Sequence, residues 1–133
     1  MCGIAGRILG APGTVGKDLV DLMDAQAHRG ADSTGFAIYG IPRESGYVLR
    51  GMGFSRDKVD SDLSNFTNIL RDNGSDFLKD PKILIDSNKH YCFRMEISDP
   101  KDLSAWIADA DSLANSIEIQ SCGRSLEIIK DTG

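Results

Sequence analysis

Apolar residues recur along this chain at two spacings, and the two spacings predict its elements. Val15, Leu19, Leu22, Met23 and Ala27 fall at helical intervals, with Asp18, Asp21 and Asp24 between them. This predicts an amphipathic helix from Val15 to His28 with one buried stripe, capped by Thr14 and carrying Asp18 in its favourable first turns. His28 and Arg29 suit the negative end of such a helix, and Gly30 stops it. Asp32-Ser33-Thr34-Gly35 reads as a turn and Phe36–Tyr39 as a short strand, with residues 40–46 a hairpin connection to a second strand, Tyr47–Arg50. Gly51-Met52-Gly53 ends that strand. Residues 55–80 are polar and acid-rich, and Leu63, Phe66, Ile69 and Leu70 mark a surface helix over Val59–Asp72 whose carboxylates form a solvated face. Ile83-Leu84-Ile85 is a short strand or the end of the preceding loop, and Tyr91–Ile97 alternates as a strand. Ser98 and Asp99 are expected to cap a helix entered at Pro100, with Leu103, Trp106, Ile107 and Ala110 on its inner face. Ile117–Cys122 and Ser125–Lys130 read as a final pair of strands around Gly123-Arg124. The order of strands and helices predicts an α+β domain with sheet packed against helix.

Composition narrows the classes. At 133 residues and 41% hydrophobic content the chain holds one core of ordinary domain size and not two. A net charge of −5 with fifteen scattered basic residues argues against a nucleic-acid surface, which needs clustered Lys and Arg. No apolar run reaches the ~20 residues of a membrane span and no signal-peptide core follows Met1, so a cytoplasmic location is expected. Cys2, Cys92 and Cys122 are odd in number, without CxxC spacing or a His/Cys cluster, so neither a disulfide framework nor a metal site is expected. Cys92 and Cys122 sit in strand-like runs as small buried residues. The run Gly10-Ala11-Pro12-Gly13-Thr14-Val15-Gly16-Lys17 fails as a phosphate loop: the pattern needs Gly and Ser or Thr where Ala11 and Asp18 stand.

The candidate chemistry lies at the N-terminus, Cys2-Gly3-Ile4-Ala5-Gly6. Removal of Met1 places a free α-amine beside the Cys2 thiol. With ordinary pKa values of about 8.5 for the thiol and about 8 for the amine, the amine can take the thiol proton directly or through one water. The resulting thiolate suits acyl transfer from an amide or ester. Gly3 and Gly6 let the backbone approach a bound substrate, and Ile4 fits a buried strand start.

This opening, followed by a helix and then His28-Arg29-Gly30-Ala31-Asp32-Ser33-Thr34-Gly35, resembles the start of the class II glutamine amidotransferases, the N-terminal-nucleophile hydrolases that begin with cysteine. The resemblance covers Cys2 to about Gly40. It implies the layered N-terminal-nucleophile hydrolase sandwich, in incomplete form, with residues 1–133 as the N-terminal part of the amidotransferase domain. It implies that Cys2 attacks glutamine, and that Arg29, Gly30, Asp32 and Ser33 belong to the loop bracing the nucleophile. A planar guanidinium such as Arg29 can hold several oxygens at once. It also implies glutamine as substrate, no cofactor on this chain, and ammonia passed to a partner subunit or domain of the glutamate synthase kind in a hetero-oligomer. Family members carry, further along, an arginine strand motif for the glutamine α-carboxylate, an Asn-Gly oxyanion hole and an aspartate for the substrate amine, none of which has a counterpart here. Asn73-Gly74 is the one Asn-Gly pair and reads as a solvated turn. A non-catalytic subunit that keeps the fold for assembly or regulation is the alternative.

Overall fold

The computed structural model describes residues 3–29, 33–85 and 90–132. It divides into two compact units, Met1–Phe36 with Lys130–Gly133, and Ala37–Ile129. Among the described residues no helix is long and apolar enough to cross a membrane.

In the first unit, helix α1 spans Gly16–Asp24 and is followed by a one-turn 3-10 helix at Ala27–Arg29. The expected continuous helix to His28 is therefore broken after Asp24, and its N-cap is Val15, which offers no side-chain acceptor, rather than Thr14. The stripe is only half covered: Leu19, Leu22 and Met23 are partly exposed and no residue of α1 is buried. Ile8 is fully exposed, and so is Ile4, which forms no strand start.

Strand β1 (Ser33–Tyr39) begins three residues earlier than expected, absorbing Ser33, Thr34 and Gly35 from the expected turn. It pairs with β6 (Leu126–Thr132) in a two-stranded sheet. The second unit is built on a four-stranded antiparallel sheet of order β3-β4-β2-β5, where β2 is Tyr47–Gly53, β3 Lys82–Ile85, β4 Tyr91–Ile97 and β5 Ile117–Gly123. Neither expected hairpin forms, because β1 and β2, like β5 and β6, belong to different sheets. Residues 40–43 instead run beside the turn before β6, with Gly40 N–H donating to Ser125 O (2.8 Å) and Arg43 N–H to Arg124 O (2.9 Å).

Alternation in β4 decides the faces of this sheet. Tyr91, Phe93, Met95 and Ile97 point inward and form one cluster with Leu49, Ile117, and the buried faces of α2 (Val59–Asp72) and α3 (Leu103–Asp111). Gly51 and Gly53 stay inside β2 rather than ending it. They lie opposite Phe93 and Tyr91 in the β2–β4 ladder, and a Cβ on either glycine would run into the ring of its partner. The glycines make room for two aromatic rings in the core, which accounts for the Gly-x-Gly without a ligand.

Helix α2 matches its expected bounds, and Phe66 and Leu70 are buried. Its carboxylates are not all solvated, because Asp62 is buried and accepts a 2.8 Å hydrogen bond from the Tyr91 hydroxyl. Burial and that hydrogen bond both push the Tyr91 hydroxyl pKa up, so it stays a donor. Helix α3 starts at Leu103, not Pro100. Asp102 caps it, accepting from the N–H groups of Ser104 and Ala105 at 2.8 and 3.1 Å. Asp99 serves elsewhere, accepting from Gly46 N–H and from the Arg124 guanidinium. Trp106 is fully buried as expected, whereas Ile107 is largely exposed.

Candidate functional site

In the first unit the chain touches α1 and the turn that follows it at two points, Gly3 and Arg7. Gly3 packs on the turn after the helix: a Cβ there would collide with Gln26 Oε1 and stand 3.5 Å from the Cβ of Arg29. Four residues later, Arg7 pairs with Asp18 in the helix at 2.8 Å. Gly3 meets the turn after the helix and Arg7 the helix itself, so the segment runs antiparallel to α1. The ion pair is exposed and contributes little, which leaves the close packing at Gly3 as the main tie. The turn itself is held by Gln26 N–H to Met23 O (3.0 Å) and Arg29 N–H to Gln26 O (2.8 Å).

Two sequence segments singled out for chemistry are thus brought together at one point, the backbone next to Cys2 and the turn bearing Arg29. Ser33 opens β1 and is exposed. Cys2, Gly30 and Asp32 lie outside the described residues. Among the described residues nothing lies within 4 Å of where a Cβ on Gly6 would stand.

Asn73-Gly74 proves to be a helix terminus rather than a solvated turn. Gly74 has φ 72°, its N–H donates to Arg71 O (2.9 Å) and Ser75 N–H donates to Leu70 O (2.8 Å), the paired bonds of a Schellman cap. The Asn73 amide donates to Ile69 O (3.0 Å) and Asp109 Oδ2 (2.8 Å). With these donors committed, the pair has none to offer an oxyanion.

The second unit holds a polar cluster that the sequence reading missed. The basic residues looked scattered, yet alternation along β2 and β4 puts Arg50, Arg94 and Glu96 on the sheet face away from the core. Glu96 is buried and accepts from Arg94 Nη1 (2.7 Å), Lys79 Nζ (3.0 Å) and Arg43 Nη1 (3.0 Å). Glu127 of β6 accepts from Arg50 Nε (2.7 Å) and from Arg94 Nε and Nη2 (both 3.0 Å). The available signal was period-two alternation in two strands that are distant in sequence but paired in space.

Hydrogen bonds from Arg94 and Lys79 outweigh desolvation at Glu96 and hold its pKa down to about 2. Burial raises that of Glu127, but the bonds from Arg94 and Arg50 prevail and lower it overall. A carboxylate with a depressed folded-state pKa stabilises the fold above its unfolded value and loses that contribution as pH falls through the folded one. For Glu96 the window runs from about 4.5 down to about 2, and with solvent screening of the exposed Lys79 allowed for, the contribution at neutral pH is on the order of 1–3 kcal/mol. Glu96→Gln is expected to lower unfolding free energy by about that amount at pH 7 and to flatten the acid limb of stability in urea titrations between pH 5 and 2. Equal losses at pH 7 and pH 2 would contradict the assignment.

Cys92 and Cys122 are half-buried. Burial pushes the Cys122 thiol up to about 11, leaving it almost wholly protonated at neutral pH.

No protein-family model matches the chain. It is 31% identical over 139 aligned positions, along its whole length, to a protein of Methanothermobacter thermautotrophicus described as "Putative glutamine amidotransferase". The chain spans 44% of the length of that curated relative. The likeness supports a glutamine amidotransferase family.

Proposed function

We propose that this chain is the nucleophile-bearing part of a class II glutamine amidotransferase. The observation that carries the reading is the packing of Gly3 on Gln26 and Arg29, which fixes the backbone beside Cys2 against the turn where the second family motif begins. In the proposed reaction the α-amine of Cys2 takes the thiol proton, and sulfur attacks the side-chain carbonyl carbon of glutamine. The tetrahedral adduct collapses with loss of the C–N bond, and the proton held by the amine leaves with ammonia. Water, deprotonated by the same amine, then hydrolyses the glutamyl thioester to glutamate and regenerates the thiol. Arg29, Gly30, Asp32 and Ser33 brace the nucleophile. The ammonia passes to a synthase partner of the glutamate synthase kind in a hetero-oligomer in the cytoplasm.

The layered sandwich is supported by the second unit, which has α2 and α3 on one face of its sheet and Glu127 of β6 bonded to the other. One observation favours the alternative of a non-catalytic subunit: the Asn73-Gly74 donors are committed to a helix cap. In that case an oxyanion hole would have to come from further chain or from a partner.

The test is the intact mass of the protein before and after a glutamine-analogue electrophile. Loss of Met1 and a single adduct at Cys2, prevented by excess glutamine, is the expected result. Retention of Met1, or labelling of Cys2 no faster than Cys122 and without glutamine protection, would favour the non-catalytic subunit.

A further inference from the structure

The outer face of the four-stranded sheet carries a charge imbalance for which the amidotransferase reading has no use. Lys82, Arg94 and Arg50 stand opposite one another on a single rung across β3, β4 and β2. Directly opposed residues project from the same face, and like charges so placed repel. Arg43 and Lys79 join this face by sharing a single oxygen, Oε2 of Glu96. Two carboxylates, Glu96 and Glu127, therefore serve four cations, Arg43, Lys79, Arg94 and Arg50, and Lys82 stands as a fifth on the same face, in a chain whose net charge is −5. Among the described residues Lys82 has no acidic partner, and Arg50 engages through Nε alone, leaving both terminal nitrogens uncommitted.

We propose that this rung binds a phosphate group, either inorganic phosphate or the phosphate of a small phosphomonoester. A surplus of positive charge calls for a dianion rather than a monocarboxylate, and the fork of a guanidinium matches two phosphate oxygens at once. The side chains of Arg50 and Arg94 are 28% and 23% exposed, partly withdrawn from water, where a charge-assisted bond is stronger than at an open surface. Lys82 is exposed, so a ligand reaches the rung from solvent. Glu127 and Glu96 are already neutralised by their own partners and leave the surplus intact.

The test is phosphorus NMR of the full chain titrated with inorganic phosphate, and separately with glycerol 3-phosphate, in sodium chloride at matched ionic strength. Saturable binding is expected, weakened about two- to fivefold by Lys82→Ala and unchanged by Lys58→Ala, with both variants unfolding at the parent temperature in chloride alone. Tighter binding of glycerol 3-phosphate identifies a phosphomonoester as the ligand class, and binding of inorganic phosphate alone identifies the free ion. Non-saturating behaviour, or equal affinities of the parent and Lys82→Ala, would overturn the proposal. Neither result depends on Cys2, so this site and the amidotransferase reading fail or stand separately.

Discussion

A Cys2→Ala chain is expected to lose glutamine hydrolysis by at least about a thousandfold, in the assembly that performs it, while unfolding at the temperature of the parent. The size follows from the proposed chemistry, in which Cys2 supplies both nucleophile and base. Its thiolate forms the covalent intermediate, and its amine handles the proton in both half-reactions, so alanine removes the first and leaves the second without a substrate. Adding one residue before Cys2 is a complementary change. It keeps the thiol but turns the amine into an amide, which has no basic lone pair. That variant is expected to lose most of its activity and also the rise of rate with pH that an amine of pKa about 8 imposes. Ammonia release from glutamine, followed between pH 6 and 9, reads both variants. Parent-like rates in either would remove Cys2 from the mechanism and return the chain to the structural alternative.

The elements that alternation or a continuous apolar stripe defined were legible in the sequence, because their patterns are set by burial within one element. Val59–Asp72 and Tyr91–Ile97 are the cases in point. What could not be read depends on partners distant along the chain. Gly51 and Gly53 looked like a strand end, and only the opposed rings of Phe93 and Tyr91 explain them. Asp99 and Asp102 are both plausible caps before α3; Asp99 is diverted by Gly46 and Arg124, which approach it through tertiary structure. Sheet partners were beyond local reasoning in the same way, since β1 and β2, and likewise β5 and β6, went to different sheets. Of the candidate site, Arg29 and the backbone next to Cys2 were legible as motifs, and their approach through Gly3 is a packing fact. The basic rung escaped notice because Arg50, Lys82 and Arg94 are neighbours only in strand register.

Trp106→Ala is expected to lower the unfolding free energy by about 3–5 kcal/mol, the largest stability loss of any single truncation in the second unit. Trp106 is fully buried and meets Phe66 edge-on, with ring centroids 6.2 Å apart at 90°, at the point where α3 crosses α2 and the sheet. Truncation leaves a cavity bounded by regular elements that cannot close around it, so the transfer and cavity costs add. Trp106→Phe separates two contributions. Among the described residues the buried indole Nε1 has no hydrogen-bond partner, and an unsatisfied donor of that kind costs about 1–3 kcal/mol. Phenylalanine removes the donor, keeps an aromatic edge for Phe66 and leaves a smaller void, so its loss should be about 1 kcal/mol or less. Trp106 is the chain's one tryptophan, so unfolding in urea should be followed by circular dichroism, with the midpoint shifting at constant slope. If alanine and phenylalanine cost the same, the orphaned N–H has a partner in solution and the indole is held by a hydrogen bond as well as by packing.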